Sequence, residues 1–162
     1  MTPVKEVIEG LRRHEFELRF ALERDVRLNM EVAAKVSRGF IGHEIEGWAP
    51  LSPATMNGFY SPDAGWIKGK IELGYVNQIS ATDPLLRTGE LRDSIGGEAE
   101  EVGIGVRGIV GSTSDIAALQ EMGTSRIPAR PFLGPALMLA ETKIAEDLGH
   151  LAIRALTPGS RL

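Results

Sequence analysis

The stretch Gln120-Glu121-Met122-Gly123-Thr124-Ser125-Arg126-Ile127-Pro128-Ala129-Arg130-Pro131-Phe132-Leu133-Gly134-Pro135 holds the most informative punctuation in this chain. Gly123 is the residue type that stops a helix in left-handed backbone, so Asp115 to Met122 reads as a short helix capped by Ser112 or Ser114. Pro128 and Pro131 hold Ile127 and Arg130 extended, and neither proline can donate. Residues 124–133 therefore read as a stiff ribbon suited to an edge rather than to an inner strand. Phe132 and Leu133 follow as apolar anchors. Gly134-Pro135 then opens a last helix with proline at its first position, carrying Leu137, Ala140, Ile144, Leu148, Leu151 and Ala155 on one face until Pro158-Gly159. Arg130 stands out because a planar guanidinium held between prolines suits a carboxylate or several backbone carbonyls. Glu121 and Asp115 are its candidate partners, and locking the ribbon to the short helix is its expected role.

Working back from this stretch, Val102, Ile104 and Val106 alternate and Ile109-Val110 follow, which predicts two or three antiparallel strands interrupted by glycines. Before them, Pro84 to Ile95 predicts an approach segment capped by Thr88 and a short helix with Leu91 and Ile95 on one face. Between Asn57 and Pro84 the chain is rich in Gly, Asp, Ser and Asn. One alternating run, Ile67, Gly69, Ile71, Leu73, Tyr75, fits a hairpin arm. A stretch this long without a helix is a binding loop or a disordered one. Its candidate partner-contact residues are Trp66, Lys68, Lys70 and Tyr75. Trp48-Ala49-Pro50-Leu51-Ser52-Pro53 forms an elbow, with Trp48 and Leu51 as anchors and Ser52-Pro53 starting a helical turn.

At the amino-terminal end, Thr2-Pro3 supplies a cap with proline at the first helical position, and no further proline occurs before Pro50. Val4, Ile8, Leu11, Leu18, Leu22, Val26, Met30, Ala33 and Phe40 step by three and four, with Glu15 and Ser37 where stripe members should fall. One helix of this length spans roughly 55 Å, more than a domain of this size can cover. Part of it should pack on a neighbouring subunit, or it is broken near Glu15 or Arg24. The expected organisation is one domain: a long helix over 1–46, an elbow and arm over 47–83, an α+β core over 84–156 and a tail over 157–162.

Composition narrows the function. The formal charge is -4 with Lys and Arg interleaved among acids, which disfavours tight duplex binding because phosphate neutralisation needs a basic patch. The absence of cysteine removes disulfides, thiolate metal sites and cysteine nucleophiles. No signal peptide or membrane span is expected from the charged start and the short apolar runs. Gly65-Trp66-Ile67-Lys68-Gly69-Lys70 lacks the spacing and hydroxyl of a phosphate-cradling loop, and no Gly-x-Ser-x-Gly elbow occurs. His14, His43 and His150 are isolated from one another, and carboxylate pairs such as Glu90 with Asp93 or Glu100 with Glu101 read as solvated surface. No enzyme activity, cofactor or metal is expected, and a small cell-wall hydrolase is the remote alternative.

Five segments in order carry a resemblance. They are Trp48 to Thr55, Leu86 to Ile95, Val110-Gly111-Ser112, Gln120 to Thr124, and Ile127 to Leu133. Together they resemble the virion-morphogenesis and tail-component proteins of long-tailed phages, of the Mu protein G type, and the similar tail-completion proteins of lambda-like phages. The resemblance covers roughly Trp48 to Ala140; the stretch from Phe59 to Asp83 is longer than the family core needs, and the first helix has no residue-level signature that matches. It implies an α+β fold with long N-terminal and C-terminal helices on a small antiparallel sheet, and Trp48, Leu51, Leu91, Glu121, Gly123, Pro128, Arg130, Pro131 and Phe132 as structural-motif residues. It also implies a virion ring, a hexamer, that completes the tail and joins it to the filled head after assembly in the host cytoplasm. The partners would be head-closure or adaptor proteins and tail-terminator or tube proteins, with DNA only as passing cargo in the channel. A transient tail-assembly factor, absent from the mature particle, shares every one of these motifs.

Overall fold

A computed structural model describes residues 3–43, 45–72, 84–86 and 88–157. The fold is α+β, as expected, with a long first helix, a long last helix and two small antiparallel sheets.

Helix α1 (Pro3–Phe40) is unbroken over 38 residues, so neither Glu15 nor Arg24 interrupts it, and it ends six residues before the expected limit of 46. Glu15 is accommodated in solvent, where it meets Arg19 at 3.4 Å one turn away. Core burial begins only at Ala21. Val26, Met30, Ala33, Ala34 and Ser37 are buried, and Ile41 continues the line just past the helix end, whereas residues 4–17 are all exposed. Gly10 and Gly39 sit in the helix with open space around them.

Two elements cover the inner part of α1. Helix α5 (Leu133–Leu156) lies along one side and the β3–β4 hairpin along another. Strands β3 (Ile95–Val102) and β4 (Gly105–Ser112) pair in one register from Ile95 with Ser112 to Val102 with Gly105. Gly103, at φ +62, takes the first central position of the two-residue turn, where a primed turn needs positive φ. The other glycines that obscured the turn have another task. A Cβ on Gly97 would collide with the backbone of Met30, and one on Gly108 would lie 2.6 Å from the Met30 sulfur. The hairpin thus touches the helix through glycine, and no larger residue leaves room.

The elbow leads into α2 (Pro53–Asn57), where Ser52 Oγ accepts from the Thr55 amide at 3.1 Å and Pro53 opens the helix. Strands β1 (Gly58–Ser61) and β2 (Gly65–Lys68) follow as a separate hairpin packed on α2. This hairpin falls almost wholly within the expected arm; of the alternating run Ile67 belongs to β2 and Ile71 to a turn after it, while Leu73 and Tyr75 lie outside the described residues. The chain closes this unit on itself when the amides of Lys70 and Ile71 donate to the carbonyls of Thr55 and Met56.

Helix α3 (Glu90–Asp93) is capped by Gly89 at φ +91 rather than by Thr88, whose hydroxyl is 3.4 Å from the Glu90 amide. Leu91 and Ile95 are both buried, as their shared face requires. Helix α4 (Asp115–Met122) stops at Gly123, whose φ +72 and ψ 178 lie in a region open essentially to glycine alone, though not in the left-handed helical well. In α5 the buried face is Ala136, Ala140 and Leu151, while Leu137 is exposed. Small residues there let α5 approach α1 closely. Pro158-Gly159 lies outside the described residues.

Candidate functional site

The five-segment region folds into one joint. Its centre is a cluster of Ala34, Ile41, Leu86, Leu91, Ile95, Ala117 and fully buried Phe132, with Trp48 and Leu133 packed against it. Leu51 is half-buried beside it on the elbow.

Arg130 and Glu121 lie at this joint, but not as partners. The Arg130 side chain is buried and crosses to the elbow, where Nε and Nη2 donate to the carbonyl oxygen of Ala49 at 3.2 and 2.9 Å and Nη2 donates to Pro50 at 3.2 Å. Ala49 and Pro50 lie in irregular backbone outside any helix or strand, so their carbonyls take a side-chain donor instead. The Arg130 amide donates to Gln120 at 2.7 Å, tying the ribbon to α4 through backbone. Burial lowers the guanidinium pKa from its ordinary value. The expected strut is therefore present, but it runs to the elbow, and neither Glu121 nor Asp115 receives it.

Glu121 caps α5. Its Oε2 accepts from the amides of Phe132 at 2.7 Å and Leu133 at 2.9 Å, and Oε1 accepts from Gly134 at 2.9 Å. Pro135, the third residue of the helix rather than the first, has no amide. The unsatisfied donors of the first turn are thereby all accounted for, with a negative charge at the positive end of the helix.

The ribbon is shorter than expected. The Thr124 hydroxyl accepts from the amides of Arg126 and Ile127 at 3.1 and 3.0 Å, and the Thr124 amide donates to Ile127 at 2.7 Å. Residues 124–127 thus form a hydroxyl-nucleated turn, and only Pro128 to Pro131 run on toward Phe132. Pro128 is exposed and Pro131 half-buried.

Of the expected partner-contact residues, Trp66 and Lys68 are exposed and share Glu72, and Lys70 is buried. Tyr60 pairs with Trp66 and Phe59 with Ile67 across β1 and β2, and all four are exposed. Trp66 Nε1 donates to Glu72 at 2.7 Å, and Lys68 lies 3.7 Å from the same carboxylate group. Lys70 is buried, so its side chain is not displayed, and Tyr75 lies outside the described residues.

Between α1 and α5 runs an open groove of about 390 Å³ lined by Arg24, Asp25, Asn29, Asp147, His150 and Arg154. Asp25 meets Arg24 at 2.9 Å and Arg154 at 3.5 Å, and Asp147 meets Lys143 at 2.8 Å. The Lys143 hydrogen bond holds the Asp147 carboxyl below its ordinary pKa. Of these pairs, Asp25 with Arg154 joins the two helices, while Arg24 with Asp25 and Lys143 with Asp147 each lie within one helix. Among the described residues no group of three or more His, Asp or Glu side chains is placed to hold a metal ion. His14 Nε2 lies 3.2 Å from the Ala155 carbonyl oxygen, which marks where α5 stops covering α1.

An uncovered part of α1 was expected from the length of the helix and is present, whereas the outer face of the β3–β4 hairpin, also uncovered, was not foreseen. The signal for it was the glycine spacing, Gly96 and Gly97 against Gly108 and Gly111. No described helix is long and apolar enough to cross a membrane. Comparisons with protein-family models, curated proteins and solved structures gave no match.

Proposed function

We propose that this chain is a structural subunit of a tailed-phage particle, a ring component of the neck that completes the tail and joins it to the DNA-filled head. The observation that carries the reading is the extension of α1 beyond His14. Eleven residues of helix, about 17 Å, carry Val4, Val7, Ile8 and Leu11 in solvent. They prolong a 38-residue helix past the point where the rest of the chain covers it, so this apolar face belongs in an assembly.

The resemblance over Trp48 to Ala140 supports the same reading. Its segments are the ones that build the buried joint, so they specify a subunit body, while the arm of β1 and β2 and the extension of α1 project from it as contact elements. The mechanism is assembly: the body sets the ring, the projections meet neighbouring copies and the head-closure and tail-terminator proteins above and below, and no covalent step occurs. DNA passes as cargo.

Quantitative mass spectrometry of purified particles tests this. A copy number matching one ring per particle is expected. Zero copies in particles whose assembly nevertheless requires the chain would replace the reading with that of a transient tail-assembly factor.

A further inference from the structure

The extension of α1 has a defined chemical pattern. Val4, Val7, Ile8 and Leu11 recur at three- and four-residue steps and share one face. Val4 and Leu11 are each 66% exposed. Lys5, Arg12 and Arg19, seven residues apart, line one border of that face; Arg19 also meets Glu15. The apolar stripe therefore has a basic edge.

The β3–β4 hairpin has a face with the opposite border. Its inner face holds Gly97 and Gly108 against Met30. On the outer face Gly96 pairs with Gly111, Glu98 with Ile109, Glu100 with Arg107 and Val102 with Gly105. A Cβ on Gly96 or Gly111 would meet nothing within 4 Å, and these two glycines with Glu98 and Ile109 line a shallow groove of about 220 Å³. Ile109 and Glu98 are exposed at its edge, and further along the same face Glu100, 3.2 Å from Arg107, and Val102 near the turn are exposed as well. A hairpin that already accepts one helix through a glycine pair offers a second glycine pair, open, on its other side.

We propose that the α1 extension of one copy lies across this outer face on a neighbouring copy, with Ile8 and Leu11 on Ile109 and the open Gly96–Gly111 pair, and Lys5 and Arg12 toward Glu98 and Glu100. The hairpin is then clamped between its own α1 and its neighbour's. The occupant is a second copy because both surfaces are on this chain and their charges complement. Two extensions laid antiparallel on each other would instead bring the basic edge against itself. The contact joins unlike patches, so repetition closes a ring when the rotation between copies permits. This inference rests on the ring reading and names the surfaces through which it is built.

The chain has no cysteine, so introduced ones report cleanly. Leu11→Cys and Ile109→Cys proteins are mixed and oxidised, beside a control mixture of Leu11→Cys with Met138→Cys, an exposed site on α5. The 11 with 109 disulfide should form in about tenfold higher yield than the control, because docking raises the local concentration of the two thiols. In the same assay Arg12→Glu on the first protein should remove the preference, and Glu98→Arg on the second should restore it. Equal yields, or no restoration with both variants folded by circular dichroism, overturn the docking. Light scattering on the unaltered chain separates the two ideas: a multimer without the 11 with 109 preference overturns the docking alone, and a monomer at every concentration overturns the ring as well.

Discussion

The guanidinium of Arg130 is held by the carbonyl oxygen of Ala49 through two nitrogens, at 3.2 and 2.9 Å, across 81 positions of sequence. This contact ties the elbow to the ribbon, and the Arg130 amide ties the ribbon to α4. One residue thus fixes three segments whose order along the chain gives no hint that they meet.

Replacing Arg130 with Met should destabilise the fold by about 3 kcal/mol, because the carbonyls of Ala49 and Pro50 lose a charged donor in a buried setting. Arg130→Lys should cost about 2 kcal/mol, since a single ammonium cannot reproduce the planar fork. Urea unfolding followed by circular dichroism measures both. A Lys variant as stable as the parent would show that the fork geometry contributes nothing.

Glu121→Gln should cost about 1 to 2 kcal/mol. The amide keeps the shape but presents one acceptor oxygen where two now serve the amides of Phe132, Leu133 and Gly134. Hydrogen exchange should show the loss first in the opening turn of α5. Uniform loss across the molecule would argue against a capping role.

Ser37 is fully buried and its hydroxyl has no hydrogen-bond partner. Ser37→Ala should therefore stabilise the protein by about 1 kcal/mol, as the penalty of an unsatisfied buried hydroxyl disappears and helix propensity improves. The midpoint of thermal unfolding should rise. A fall would mean that the hydroxyl has a partner in solution.

The glycines of the β3–β4 hairpin divide by face. Gly97→Ala should destabilise by about 2 kcal/mol or more by forcing the hairpin off the α1 backbone, and Gly108→Ala by about 1 kcal/mol because the Met30 side chain can shift, whereas Gly96→Ala and Gly111→Ala should leave stability within about 0.5 kcal/mol. Thermal denaturation of the four variants side by side checks this. Equal effects on both faces would contradict the packing described.

Much of this architecture was legible because it depends on local rules. The α1 stripe, the stop at Gly123, the cap at Ser52 and the shared face of Leu91 and Ile95 all follow from residues within a turn or two of each other. The partners of Arg130 and Glu121 were not legible, because backbone amides and carbonyls carry no mark of availability in sequence. Glu121 looked like a counter-ion when its actual task was to close a helix eleven residues away. Within the arm the β1–β2 turn was not legible, because the alternation from Ile67 onward is a stronger pattern than the short loop Pro62-Asp63-Ala64 before Gly65, whose φ of +70 turns the chain. The hairpin glycines read as interruptions, since close approach is visible only once the helix they touch is in place.

Self-assembly of this chain is what mass photometry of the purified protein across a concentration series would reveal. A closed multimer of fixed copy number is expected, giving way to smaller species when residues 1–13 are removed. A monomer at every concentration, with or without those residues, would contradict it.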